Sequence, residues 1–131
     1  MRLWHVDLLS LLPDARTSGD PRLNQLGGQH RECCALRGLG WGRRHATVDY
    51  VFRRPPAELA AYHLLVVREL AQRGYRVDLA WLDPAYRGAR CMPWTRDELG
   101  RAAGRYPEHD AGYMQECLNN LVAKGVLLQQ F

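Results

Sequence analysis

A mainly or wholly α-helical fold is what the sequence predicts: one compact domain of about three to four main helices joined by long irregular connections. Three observations predict it. The chain has 131 residues, 47% of them hydrophobic and 24% charged, which suits one core rather than two domains or a disordered chain. Apolar residues recur at three- and four-residue spacings in two long stretches, Leu59-Tyr62-Val66-Leu70 and Met114-Cys117-Leu118-Leu121. Those stretches carry helix punctuation, with Pro55-Pro56 before the first and Gly74 behind it, and Gly125 behind the last.

Each element follows in order. Leu3, Trp4, Val6, Leu8, Leu9, Leu11 and Leu12 make the opening apolar, so it should lie against the core until Pro13. Residues 13–28 are rich in turn formers and end in Gly27-Gly28, which predicts a mobile loop. A short helix is expected over Gln29–Leu36, stopped by the dense glycines 38, 40 and 42. Those glycines lack the flanking strand and Lys-Ser/Thr of a phosphate loop. The segment His45–Phe52 fits either an extended run or a buried turn. After the Pro55-Pro56 helix, residues 78–93 read as loop. Thr95 and Glu98 have capping-box spacing, predicting a short helix to about Gly104. The last helix is expected from Asp110 to Lys124.

All but one of the 18 basic residues are arginines, Lys124 being the exception, and the net charge is +4. Arg31, Arg37, Arg43, Arg44, Arg53 and Arg54 face only Glu32 and Asp49 within 24 residues, so this stretch alone carries a surplus equal to that of the whole chain. Planar guanidinium forks suit phosphate, and such clustering is the footprint of a polyanion-binding face. No apolar run approaches the ~20 residues of a bilayer span, and a cytoplasmic, nucleoid-associated protein without membrane contact is expected. Cys33, Cys34, Cys91 and Cys117 lack Cys-x-x-Cys spacing and should be free thiols. A mixed site using Cys33, His30 or His63 has no recognisable spacing behind it, so neither metal nor cofactor is expected.

Four segments, Met1-Arg2-Leu3-Trp4, Gln29-His30-Arg31-Glu32, His45-Ala46-Thr47-Val48-Asp49-Tyr50 and Arg73-Gly74-Tyr75, resemble the pyrimidine dimer DNA glycosylase family, most closely a bacterial branch of it. The resemblance implies a DNA repair glycosylase with abasic-site lyase activity. In such enzymes the N-terminal amine attacks the sugar C1′ of a damaged nucleotide, forms an imine, and breaks the strand by β-elimination. An α-amino group titrates near pH ~8, so a usable fraction is neutral and nucleophilic at pH 7. Arg2 is too large for methionine trimming, so the nucleophile falls on Met1, and the family's Arg-Glu pair falls on Arg31 and Glu32. Gln29-His30 also resembles a Gln-His pair that the phage member carries ahead of its Arg-Glu; aligned there, the glutamate position falls on Arg37 or Gly38. Contacts to double-stranded, damaged DNA fall to Arg2, Gln29, His30, Arg31, Arg37, Arg43, Arg44 and His45, with Trp4 and Trp41 as candidate wedges into an opened base step. The protein is expected to act as a monomer.

Two other readings come from the residues. The C-terminal third, Thr95 to Leu128, has the outline of a helix-turn-helix module that binds DNA without catalysis. Glu32, Asp49 and His45 offer a scattered set for metal-dependent nuclease chemistry.

Overall fold

The computed structural model describes residues 2–20 and 23–129, with the side chains of residues 17 and 18 left out. It is mainly helical, with no strand among the described residues. In chain order the α-helices are α1 (Ala15–Ser18), α2 (Gln25–Arg37), α3 (Pro56–Gln72), α4 (Arg96–Leu99) and α5 (Ala111–Ala123). Short 3-10 turns lie at Val6–Leu11, Asp49–Arg53 and Leu79–Leu82.

The apolar periodicity of α3 turns Leu59, Tyr62, Val66 and Leu70 onto α2, which answers with Leu26, Cys33 and Leu36. The opening segment adds Leu3, Trp4, Leu8, Leu9 and Leu12, and the C-terminal part adds Cys117, Leu121 and Val126. These residues form one core, as helices with a single apolar stripe require. The capping box of α4 is present: Glu98 N donates to Thr95 Oγ1 (3.2 Å) and Thr95 N to Glu98 Oε1 (2.9 Å). Gly125, at φ 73°, follows α5 in the left-handed region that favours glycine.

Several expectations change. The helix predicted at Gln29–Leu36 begins one turn earlier, at Gln25, inside the predicted mobile loop. Asn24 is the cause: its Oδ1 accepts from Gly27 N at 3.3 Å and caps the helix. A Cβ at position 27 would stand 2.6 Å from the Asn24 side chain, so Gly27 serves the cap rather than a loop. Residues 15–18 form the single turn α1, with Asp14 Oδ1 accepting from Arg16 N at 3.0 Å. Of the two alternatives for the segment at His45, the turn is the one found, leading into 3-10 helix. Finally, α4 stops at Gly100 rather than Gly104, because Gly100 turns to φ 64° where a Cβ would meet Pro55 at 2.7 Å.

Arg37 is the largest correction. Expected at a DNA surface, it is 0% exposed. Its Nε donates to Tyr86 O (3.1 Å), Nη1 to Trp81 O (3.1 Å) and His63 Nδ1 (2.9 Å), and Nη2 to Asp83 O (2.6 Å) and Tyr86 O (2.8 Å). Every N–H of the guanidinium is thereby used. Arg87 returns the grip, donating to Arg37 O (2.8 Å) and Gly38 O (3.1 Å) at the C-terminus of α2. Two arginines thus fasten the irregular 78–93 connection. Replacing Arg37 with methionine leaves the partly buried carbonyls of Trp81, Asp83 and Tyr86 without their donor, and should cost about 2–3 kcal/mol in denaturant unfolding. Arg37→Lys should lose nearly as much, since an ammonium cannot reproduce the fork. A loss below about 1 kcal/mol in both variants would refute this role.

Candidate functional site

Helix α2 presents two polar faces. Gln25, Gly28, Gln29 and Glu32 share one, as three- and four-residue spacing dictates, while His30, Cys34 and Arg37 lie on the other. The first face borders a cavity of about 340 Å³, closed by Arg2 and Trp4 from the opening segment, Thr47 from the 43–48 loop, and Asn120 and Lys124 from the end of α5.

Gln29 sets this geometry. Its Oε1 accepts from Trp4 N (3.0 Å) and Tyr62 Oη (2.8 Å), and its Nε2 donates to Arg2 O (2.7 Å). Tyr62 Oη lies 2.7 Å from Trp4 O as well, and Tyr113 Oη donates to Leu3 O. The opening segment is therefore held in extended form along α2, with residue 2 beside Glu32. Gln29 is buried, so its part is to position the segment rather than to meet a phosphate.

Glu32 is half-buried. Burial raises its pKa from the usual carboxylate range, against the lowering effect of nearby positive charge, His45 included. Its Oε1 is enclosed and has no hydrogen-bond partner among the described residues, and the same holds for Asn120 Oδ1 on the opposite wall. Two acceptors without donors, in one polar cavity, make a site that calls for a cation or an N–H group.

Arg31 is exposed, its guanidinium 3.8 Å from where a Cβ on Gly28 would stand, at the rim of the cavity. Arg43, Arg44 and His45 are exposed on the loop that leads to Thr47. His45 N donates to Asp49 Oδ1 (2.7 Å), which fixes the turn, and its ring Nδ1 lies 3.0 Å from Thr47 Oγ1. Arg2 pairs with Glu116 at 3.1 Å and not with Asp7, which takes Arg105 at 3.0 Å. His30 lies on the far face of α2, against His63. Trp4 is buried in the core, and Trp41 packs edge-on against Phe52 and Trp94, so neither stands free as a wedge. Met1 lies outside the described residues. Glu32, Asp49 and His45 do not assemble as metal ligands; the cluster of that kind among the described residues is His30, Cys34 and His63.

Sequence reasoning missed Asn120 and Lys124. A signal existed: Glu116, Asn120 and Lys124 recur every four residues, a polar stripe beside the apolar one on α5. The helix-turn-helix outline fails on length, since α4 is a single turn ending at Leu99 and α5 starts only at Ala111.

With fold and cavity in place, the chain can be set beside known proteins. The sequence profile described as pyrimidine dimer DNA glycosylase matches residues 1–83. The chain belongs to the pyrimidine dimer DNA glycosylase family. No curated protein and no solved structure matches it. No helix among the described residues is long and apolar enough to cross a membrane.

Two buried histidines make the fold pH-sensitive. Burial, with Arg37 and His30 nearby, lowers His63 to about 3. Burial, with His5 and Arg105 nearby, lowers His109 to about 4; its Nδ1 accepts from Val6 N at 3.1 Å. The unfolded chain takes up these protons near pH ~6.5 while the folded chain refuses them, so stability falls as pH drops below that value. Asp14, lowered to about 2 chiefly by Arg16, adds to the loss only below about pH 4. Between pH 6.5 and 4.5 the unfolding free energy should therefore fall by roughly 1 kcal/mol per pH unit for each histidine. Urea midpoints across that range test this, and a flat profile would contradict it.

Proposed function

We propose that the chain is a DNA repair glycosylase with abasic-site lyase activity, acting as one monomeric domain over residues 1–131 on damaged double-stranded DNA. The observation that carries the reading is the enclosed Glu32 carboxylate oxygen, without a hydrogen-bond partner among the described residues, in a polar cavity beside residue 2. In this reading the α-amino group of Met1 is the nucleophile. It attacks C1′ as the C1′–N bond to the damaged base breaks, and the base leaves with a proton. The sugar ring opens to an imine; loss of a C2′ proton then expels the 3′ phosphate, and water releases the amine. Glu32, its pKa raised by burial, is suited to carrying protons in these steps and to stabilising the cationic sugar, a contribution of roughly 10²–10⁴ in rate. A pyrimidine dimer is the first substrate to test. Arg31, Arg43, Arg44 and His45 would hold phosphates at the rim, with Arg2 inside.

Borohydride should trap a covalent adduct of untagged protein on DNA that holds an abasic site or a cyclobutane dimer, with the modified peptide beginning at Met1. A peptide fused ahead of Met1 converts the amine to an amide and should abolish trapping while DNA affinity stays within about threefold. Glu32→Gln should keep that affinity, lose at least about a hundredfold in turnover, and unfold no more easily at pH 7, because it removes a partly buried charge. No adduct on either DNA would overturn the imine mechanism, and full turnover in Glu32→Gln would overturn the role of Glu32.

A further inference from the structure

His30 and Cys34 stand one turn apart on the face of α2 that turns away from Glu32, and His63 meets them from α3. His30 Nδ1 lies 2.8 Å from His63 Nε2, and Cys34 Sγ lies 3.9 Å from the former and 4.0 Å from the latter. In a tetrahedral zinc site, with Zn–N about 2.0–2.1 Å and Zn–S about 2.3 Å, ligand atoms stand roughly 3.3–3.6 Å apart, so adjustments of about half an ångström would seat an ion. His63 is fully buried; His30 and Cys34 are half-buried, and Cys34 lines a cavity of about 450 Å³ beside Trp81 that gives access. The negative charge of Asp78 acts on both His30 and Cys34.

We propose that His30, Cys34 and His63 form a binding site for a thiophilic divalent transition-metal ion of the zinc class, tying α2 to α3 and distinct from the Glu32 cavity. Two imidazole nitrogens and one thiolate are the donors such ions select, and three protein ligands leave one position open to water.

Arg37 determines how the ion is held. A guanidinium only donates, so its Nη1–H to His63 Nδ1, at 2.9 Å, leaves His63 neutral with its proton on Nε2. That proton points at His30 Nδ1, which puts the His30 proton on Nε2. An ion seated between the rings displaces the Nε2 proton of His63, and Nδ1 has none to keep. Arg37 does not turn aside, because its remaining N–H groups are all taken by carbonyls. His63 therefore ligates as an imidazolate backed by the guanidinium, and Cys34 as a thiolate. Two protons leave for each divalent ion that enters, so the net charge beside the buried arginine is unchanged.

The test uses tag-free, chelator-treated protein titrated with Co²⁺ and Zn²⁺ alone. One equivalent of Co²⁺ should give thiolate-to-cobalt charge-transfer absorption with tetrahedral visible bands, retained in Cys91→Ser and lost in both Cys34→Ala and His30→Asn. Zn²⁺ should compete the signal away, and should raise the melting temperature of the wild type but not of Cys34→Ala. Apparent affinity should rise about a hundredfold per pH unit between pH 7 and 8, the signature of two released protons. Absence of the cobalt-thiolate band in folded wild type at pH 8, or its survival in Cys34→Ala, would overturn the site. A rise of only about tenfold per pH unit would overturn the Arg37-backed imidazolate. The melting curves show whether each variant is folded.

Discussion

The carboxamide of Gln29 is the contact on which the arrangement of the candidate site depends. One buried group takes the amide of Trp4, the carbonyl of Arg2 and the hydroxyl of Tyr62, and so joins the opening segment, α2 and α3 at one point. An extended segment has no partner for its own backbone groups, and a buried amide or carbonyl without one costs about 1–3 kcal/mol. Gln29 supplies both a donor and an acceptor from a single rigid plane, which an apolar residue of the same size could not. The register of the first residues against Glu32 follows from it, because Gln29 and Glu32 are three positions apart on the same helix.

A second buried polar group secures the other face of α2. Desolvating a charged guanidinium is costly unless its whole fork is used, and Arg37 meets that condition on three carbonyls and His63. The connection through Asp83 and Tyr86 is wrapped around the arginine in a way that no helical periodicity would dictate. Its loops are ordered by side-chain donors where neighbouring strands would otherwise supply backbone ones.

Legibility in the sequence followed the physics of each signal. The boundaries of α3 and α5 were readable because proline, Asp110 and glycine punctuate an amphipathic repeat. The start of α2 was not, because Gly27-Gly28 has the composition of a loop and only the Asn24 cap turns it into a helix. Arg37 was unreadable as a core residue: charge counting treats every arginine in a basic run alike, and burial is decided by distant carbonyls at 81–86. His30 and His63 were named as candidates for one mixed site, but with Cys33, which is buried in the core; that Cys34 is the thiol beside them depends on which face of α2 meets α3 across 33 residues of sequence. Glu32 was legible through resemblance, not spacing, and its enclosure depends on residues far along the chain.

That last dependence has a consequence for recognition. The family profile covers residues 1–83, which include Gln29, Glu32 and the basic loop at 43–45. Yet the far wall of the cavity, Asn120 and Lys124, comes from α5, and Arg2 is held by Glu116 on the same helix. Lys124 lies over the Trp4 ring, 5.2 Å from its centre, and Asn120 offers an oxygen without a partner among the described residues across from Glu32. Glu32 thus sits in the matched part, while one wall of its cavity comes from a helix outside it. Lesion choice depends on pocket shape and hydrogen bonding to the flipped base. In this chain Asn120 and Lys124, two of the residues that line the cavity, lie beyond the matched residues, so the family match alone does not define the cavity's shape.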